Sequence, residues 1–166
     1  CGGGTVFTPL AEYAHPTHRV GVVGIGGLGH MALRFAKAWG CHVTAFTSTE
    51  SKGEEARSLG AHEVVVSRDA AALEAHAGRF DLLISTVNVP LDWTAYIQML
   101  KPEGRLHLVG ATLDPIPFGA FDLIMGQRSI SGSPVASPTN TQRMVEFASR
   151  HTIAPMTEHF PLADIN

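Results

Sequence analysis

The stretch VGVVGIGGLG, residues 20–29, joins a short apolar run to a glycine-rich turn. Its last six residues fit the pattern G-x-G-x-x-G. Arg19–Val23 is predicted to be a buried strand, and residues 27–39 are predicted to be an amphipathic helix that stops at Gly40. A glycine turn between a strand and a helix is the setting in which this pattern binds a dinucleotide pyrophosphate.

The glycines of this turn have mechanical roles. Gly24 allows the tight turn, Gly26 lets a pyrophosphate approach the backbone, and Gly29 lets the helix pack closely on the strand. Gly27 opens the helix, whose free N–H groups and dipole favour a phosphate. The alternative is a structural turn in an unrelated α/β enzyme such as a methyltransferase. That enzyme would usually carry an acidic residue at the end of the second strand, and this chain has none there.

Short β-branched runs alternate with helical patterns along the rest of the chain. Five more strands are predicted, at His42–Thr47, Glu63–Val66, Phe80–Ser85, residues 105–109 and residues 129–133. Helices are predicted at residues 50–59, 69–76, 91–100, 118–125 and Pro138–Arg150, with a further edge strand at residues 156–160. Strands that alternate with helices form parallel βαβ units. We therefore expect an α/β protein with a doubly wound, parallel, six-stranded Rossmann sheet and helices on both faces.

Composition narrows the class of protein. The 166 residues are 45% hydrophobic and 16% charged, whereas disordered chains combine low hydrophobicity with high charge. A formal net charge of −3 argues against nucleic acid or anionic lipid as a partner. The longest apolar run is broken by glycines and falls short of the roughly 20 residues that span a membrane. Two cysteines exclude a disulfide scaffold, and the default expectation is a cytoplasmic protein.

The end of the second predicted strand indicates which dinucleotide is preferred. An NAD site places Asp or Glu there, about 20 residues after the turn, whereas this chain has Thr47. The hydroxyls of Thr47, Ser48 and Thr49 can donate to a 2′-phosphate, and Lys52 can add a charge-assisted hydrogen bond. Glu50 is the counter-argument, although a carboxylate is also favoured at a helix start. We therefore expect NADP(H) to be preferred over NAD(H).

Motifs spread along the chain resemble those of the zinc-dependent medium-chain alcohol dehydrogenases. They are CGGGTVFTPL at residues 1–10, VGVVGIGGLGHMA at 20–32, LGA at 59–61, LKPEG at 100–104 and ISGS at 130–133. The cinnamyl-alcohol-dehydrogenase-like branch, which uses NADP(H), is the nearest match. The resemblance implies that residues 1–166 are the NADP(H)-binding Rossmann domain of a longer enzyme, without its N-terminal catalytic domain and extreme C-terminus. It implies hydride transfer between NADP(H) and a primary alcohol or aldehyde, with this domain inactive alone.

The resemblance also implies roles for single residues. Cys1 stands at the position of a ligand to the catalytic zinc, Thr5 would lie beside the nicotinamide ring, and Leu28 would press on its face. The remaining expected cofactor contacts are Thr86, Val109, Gly110, Ala111, Ser133 and Val135. No residue of this domain is assigned a catalytic role, and the other zinc ligands are expected in the missing domain.

Two other functions stay open. One is a zinc-free quinone or enoyl reductase of the same superfamily, against which Cys1 argues. The other is a nucleotide-binding module without catalysis. Medium-chain dehydrogenases commonly dimerise by pairing their sixth strands, so the resemblance implies a homodimer through residues 129–133.

Other candidate ligands receive simpler interpretations. None of the nine histidines has the spacing of a helical metal motif. His62, His76 and His151 lie near predicted helix ends and are expected to be exposed. Cys41 is expected to be a small buried hydrophobe.

Overall fold

The computed structural model describes residues 1–164. The strands are β1 (Arg19–Val23), β2 (His42–Thr47), β3 (Glu63–Val66), β4 (Phe80–Ser85), β5 (Leu100–Leu108) and β6 (Ser129–Gly132). The helices are α1 (Gly2–Tyr13), α2 (Gly27–Ala38), α3 (Gly53–Ser58), α4 (Ala70–Glu74), α5 (Trp93–Gln98), α6 (Ala120–Ile124) and α7 (Pro138–Arg150). Short 3₁₀ turns occur at Glu50–Lys52 and Leu162–Asp164. Across residues 1–164, no helix is long and apolar enough to cross a membrane.

All six strands of the sheet run parallel, in the order β3-β2-β1-β4-β5-β6. The order reverses between β1 and β4, and open α/β sheets bind ligands at the carboxyl ends of strands beside such a switch point. The predicted doubly wound, parallel, six-stranded sheet is confirmed.

Helices cover both faces of the sheet, as predicted. The helices α1, α2, α3 and α7 share one apolar core with β1, β2 and β4, in which the rings of Phe7 and Phe35 lie 5.5 Å apart. The helices α4, α5 and α6 share the other core, in which Phe46 and Tyr96 lie 5.7 Å apart. Burial on both faces explains the continuous apolar runs within β1 and β4, at residues 20–23 and 82–84.

The sequence patterns do not predict α1. Its three N-terminal glycines and Pro9 are poor helix formers. The helix nevertheless buries Phe7 and Leu10 completely or nearly so in the core that it shares with α2. A Cβ atom on Gly4 would lie 2.8 Å from the Cβ of Ala136, so a small residue is required there. Tertiary packing therefore overrides the local propensity of this segment.

The predicted edge strand at residues 156–160 is wrong. This segment has no regular secondary structure, is exposed throughout and pairs with no strand of the sheet. The backbone N–H of Met156 donates to Nε2 of His30 at 3.3 Å, and Arg34 donates to the carbonyl of Ala154 at 2.9 Å. These two bonds attach the start of the segment to α2.

The boundary between α5 and β5 also differs from the prediction. The helix ends at Gln98 and the strand already begins at Leu100. Residues 101–104 were left between the predicted helix and the predicted strand, and they lie within β5, with Glu103 at φ +64°. A register irregularity opposite Phe80 and Leu82 accommodates the extra residues.

His76 is buried, which contradicts the prediction that it is exposed. Its Nδ1 lies 2.6 Å from the carbonyl oxygen of Ala72, and its Nε2 lies 3.0 Å from Oε1 of Glu63. Its ring stacks on Phe80 at 6.2 Å. The two hydrogen bonds satisfy the imidazole and allow it to be buried. His62 and His151 are exposed, and Cys41 is buried, as predicted.

Candidate functional site

A groove with a volume of about 1260 Å³ opens at the carboxyl edge of the sheet. Its walls come from the glycine turn after β1 and from the segments that follow β2, β3, β4 and β5. The predicted cofactor residues that line it are Gly24, Gly26, Gly27, Leu28, Thr47, Ser48, Lys52, Thr86, Val109, Gly110 and Ala111. Residues from distant parts of the sequence meet here because parallel strands end at one edge.

The glycine turn is tightly packed on one side and open on the other. Gly24 has φ +87°, a conformation that favours glycine. A Cβ on Gly29 would overlap the carbonyl oxygen of Gly24, so α2 can approach β1 only without a side chain there. A Cβ on Gly26 or Gly27 would meet no atom within 4 Å. The turn therefore leaves room for a pyrophosphate beside the first amides of α2, as the motif predicts.

Thr86 and Gly110 build the part of the groove beside the glycine turn. The hydroxyl of Thr86 lies 2.9 Å from the carbonyl oxygen of Val23 and 3.0 Å from that of Gly24, and donates to this pair. A Cβ on Gly110 would overlap the carbonyl oxygen of Val87. These contacts fix the backbone around the groove, so Thr86 holds the turn in place.

In the loop after β2, some polar side chains form hydrogen bonds within the loop and others are exposed to the groove. Thr47 is 2% exposed, and its hydroxyl donates to the carbonyl of Thr49 at 2.7 Å. The hydroxyl of Thr49 lies 3.1 Å from that of Ser51. Ser48 and Lys52 are exposed and line the groove. The groups of this loop that are placed to meet a ligand are therefore Ser48 and Lys52, while Thr47 shapes the loop.

The other predicted cofactor residues lie outside the groove lining. Thr5 is buried, and its hydroxyl donates to the carbonyl of Cys1 at 3.0 Å. The hydroxyl of Ser133 pairs with Nε2 of His107 at 2.9 Å, and Val135 is 52% exposed. Their roles toward the nicotinamide stay predictions.

Several groove residues were not singled out from the sequence. Ser67 and Arg68 follow β3, and Asn88 and Asp92 follow β4. Position directly after a predicted strand is the signal that could have found them, because this edge of the sheet forms the site. Asp92 caps α5 by accepting from the N–H of Ala95 at 3.1 Å.

A metal site is not complete within the described chain. No group of three or more His, Cys, Asp or Glu side chains in residues 1–164 is close enough to hold a metal ion. Cys1 is exposed, and its neighbour Gly2 lines the groove. Catalytic zinc needs three protein ligands, so a zinc site that includes Cys1 needs donors from beyond residues 1–164.

Comparison with known proteins gives a family and several relatives. Residues 27–150 match the family model described as zinc-binding dehydrogenase. The chain is 50% identical over 167 aligned residues to the aldehyde reductase AdhA of Synechocystis, an alignment that covers 100% of this chain and 50% of the relative. The chain thus spans about half the length of the curated relatives it matches.

Solved structures give the same result. A cinnamyl alcohol dehydrogenase from Sorghum bicolor is 41% identical with a TM-score of 0.89, covering 93% of this chain and 44% of that one. The Helicobacter pylori CAD, solved in complex with NADP(H), is 33% identical with a TM-score of 0.82, covering 94% of this chain and 45% of that one. The family model covers the glycine turn's helix and every later strand and helix through α7. The chain belongs to the zinc-binding dehydrogenase family.

Proposed function

We propose that this chain is the NADP(H)-binding domain of a zinc-dependent alcohol dehydrogenase or aldehyde reductase. The observation that carries the proposal is the groove at the sheet's switch point, with an open glycine turn on one side and Ser48 and Lys52 beyond it. A bound nicotinamide supplies or accepts the hydride exchanged with an alcohol or aldehyde carbon. The part of these residues is to bind and orient that cofactor.

The glycine turn supports binding of the cofactor pyrophosphate. The space above Gly26 and Gly27 is empty of protein atoms, and the N-terminus of the 12-residue α2 points its unpaired amides there. These amides and the helix dipole favour an anion.

The loop after β2 supports a preference for NADP(H) over NAD(H). No carboxylate stands at the end of β2, where one would bind the ribose hydroxyls of NAD and repel a 2′-phosphate. Ser48 can donate to that phosphate and Lys52 can pair with it.

Ser48→Asp tests this preference, because it places a carboxylate on the groove side of the loop. We expect NADPH affinity to fall by about a hundredfold while NADH affinity is kept or improved. Ser51→Asp is the matched control, since Ser51 is exposed and outside the groove lining. Equal losses of affinity for NADPH and NADH, measured by calorimetric titration, would contradict the preference.

At the nicotinamide end, the backbone of residues 109–111 is proposed to bind the carboxamide. Val109 and Gly110 both donate their N–H groups to the carbonyl of Ser85, at 2.9 and 3.0 Å. This leaves their carbonyl groups at the groove as candidate acceptors. Thr5, Leu28, Ser133 and Val135 are proposed contacts of the same end, on the resemblance of their motifs.

Cys1 is proposed to be one ligand of a catalytic zinc that the rest of the enzyme completes. The thiol is exposed and adjoins Gly2 at the groove, and thiolates are common ligands of catalytic zinc. Cys1→Ser in the intact enzyme should lower the zinc content, measured by metal analysis, without changing NADPH affinity. Full zinc occupancy in that variant would mean that other residues ligate the zinc, whereas an intact wild-type enzyme without zinc would favour the zinc-free reductase.

A homodimer through β6 is also proposed. β6 pairs only with β5 in the described sheet, so its other edge is open. Shortly before β6 in the chain, Phe121 and Ile124 of α6 and the next residue, Met125, are exposed at 73%, 63% and 78%. Such a patch on the surface marks an interface.

Ile124→Glu tests the dimer, because it puts a charge in the centre of this patch. We expect a monomer by sedimentation equilibrium. Val145→Glu is the control, since Val145 is 57% exposed on α7. A dimer that persists in Ile124→Glu would contradict this interface. The cytoplasmic location and the alcohol or aldehyde substrate stay predictions.

A further inference from the structure

Beyond the motif residues, the third strand brings a cation to the groove. Arg68 follows the end of β3 by two residues, and its exposed side chain lines the groove together with Lys52. Within residues 1–164, the ion pairs involve Arg19, Arg79, His76 and Lys101 on the cationic side, and Arg68 is in none of them.

The strand register places Arg68 beside the loop that follows β2. Thr47 is level with Val66 in the parallel ladder, and the N–H of Ser67 donates to the carbonyl of Thr47 at 2.7 Å. The chain therefore leaves β2 and β3 at the same level, about 4.8 Å apart. The glycine turn follows β1, one strand further away. Arg68 is thus nearer to Ser48 and Lys52 than to the pyrophosphate position.

Two carboxylates near Arg68 cap helices, and Glu50, in the same turn as Lys52, lies outside the groove lining. Asp69, the next residue, accepts from the N–H groups of Ala71 and Ala72 at 3.0 and 3.2 Å. Asp92, which also lines the groove, accepts from Ala95. Glu63 binds His76 at 3.0 Å at the opposite end of β3. The guanidinium of Arg68 therefore keeps its positive charge available at the groove.

We propose that Arg68 binds the 2′-phosphate of NADP(H) from the side opposite Lys52, which makes it a second determinant of cofactor specificity. The inference rests on the proposed function of the groove. A guanidinium presents a planar set of donors that matches two phosphate oxygens, whereas the lysine ammonium is a compact point charge. The two side chains lie on the segments that follow the neighbouring strands β2 and β3, and on this proposal both bind the dianionic phosphate.

The test is a titration of wild type, Arg68→Gln, Arg68→Lys and Arg57→Gln in the intact protein. Arg57 is an exposed arginine on α3 outside the groove lining, so it controls for the change of charge. The probes are NADPH, NADH, adenosine 2′,5′-bisphosphate and adenosine 5′-monophosphate. Thermal unfolding of each variant shows that it is folded.

We expect Arg68→Gln to weaken the binding of NADPH and of the bisphosphate by about tenfold, because one charge-assisted contact is lost. Binding of NADH and of the monophosphate should change by less than about twofold, and Arg57→Gln should bind as wild type does. The salt dependence of NADPH binding should also be shallower in Arg68→Gln. The NADPH affinity of Arg68→Lys should lie between that of wild type and that of Arg68→Gln.

Equal weakening of NADPH and NADH by Arg68→Gln would overturn the proposal, because it would mean that the guanidinium stacks on the adenine. Unchanged NADPH binding in that variant would also overturn it. Wild-type protein that binds neither dinucleotide is a different result, since it would reject the proposed function of the groove itself.

Discussion

Polar groups are paired at the amino edge of the sheet, where the strands begin, and open to a groove at the carboxyl edge, where the strands end. At the amino edge, Asp81 accepts from the backbone N–H of Arg19 at 2.7 Å and from Lys101 at 2.9 Å. At the carboxyl edge, Gly26 faces open space and Lys52 lines a groove. Charges that are paired within the chain stabilise the fold, whereas donors that are left facing a groove are available to a ligand.

This pairing lowers the pKa values of the carboxylates at the amino edge. Burial raises the pKa of Asp81, but the N–H of Arg19 and the ammonium of Lys101 outweigh it and hold that pKa below its ordinary value. Glu63 behaves alike, since its bond to His76 and the charges of Arg79 and Arg19 overcome burial and lower its pKa. Both carboxylates are therefore stabilised in their charged form by the folded chain.

The sharpest contrast lies within the glycine turn itself. Gly29→Ala should lower the free energy of unfolding by more than about 3 kcal/mol, because its Cβ would overlap the carbonyl of Gly24. Gly26→Ala should change the free energy of unfolding by less than about 1 kcal/mol and should instead weaken NADPH binding. Denaturant unfolding and calorimetric titration measure the two effects. Equal destabilisation by both substitutions would contradict this division of roles.

At the amino edge, Asp81→Asn should affect stability alone. It removes the charged acceptor of Arg19 and Lys101, which should cost about 1–2 kcal/mol at pH 7. NADPH affinity should be unchanged, because Asp81 lies at the end of the sheet away from the groove. A large loss of cofactor binding would show that the two edges are coupled.

The contribution of Glu63 should depend on pH. Its folded pKa is lower than the ordinary value of 4.5, so the unfolded chain binds more protons as the pH falls. Glu63→Gln should therefore cost about 1 kcal/mol above about pH 5, and this difference should shrink as the pH falls through 4.5 and below. The comparison uses urea unfolding of the variant and wild type from pH 7 to 3. A difference that stays constant over this range would be inconsistent with the ion pairs.

The smallest expected effect concerns Asp92, a carboxylate that lines the groove. Asp92→Asn keeps a good helix cap and removes a negative charge, so NADPH affinity should rise by about twofold at low salt. Asp122→Asn serves as control. Asp122, on α6, accepts from the N–H of Gly119 and lies outside the groove lining. A loss of affinity in Asp92→Asn would mean that this carboxylate binds the cofactor directly.

Local chemistry explains which parts of the fold could be predicted. Strands such as β1 and β4 contain continuous apolar runs, and the glycine turn has a fixed spacing, so both were visible in the sequence. By contrast, α1 contains three glycines and a proline, and only its packing on α2 makes it helical. The segment at 156–160 has a strand-like composition, yet it pairs with no strand, and its first residue, Met156, bonds to His30 of α2.

Contacts between residues far apart in the sequence explain what the sequence patterns missed, both in the fold and in the site. The burial of His76 depends on Glu63, which is 13 residues away. Arg68 joins the groove because β3 ends level with β2, a relation that no motif encodes. Thr47 occupies the expected position, but its hydroxyl bonds to Thr49 and faces its own loop.

The most direct test of the groove's function is a calorimetric titration of the intact protein with NADPH and, separately, with NADH. We predict that both dinucleotides bind at this site and that NADPH binds more tightly, because the 2′-phosphate meets Lys52 and no carboxylate at the end of β2. Tighter binding of NADH would contradict the assigned specificity, and a folded sample that binds neither would contradict the central claim.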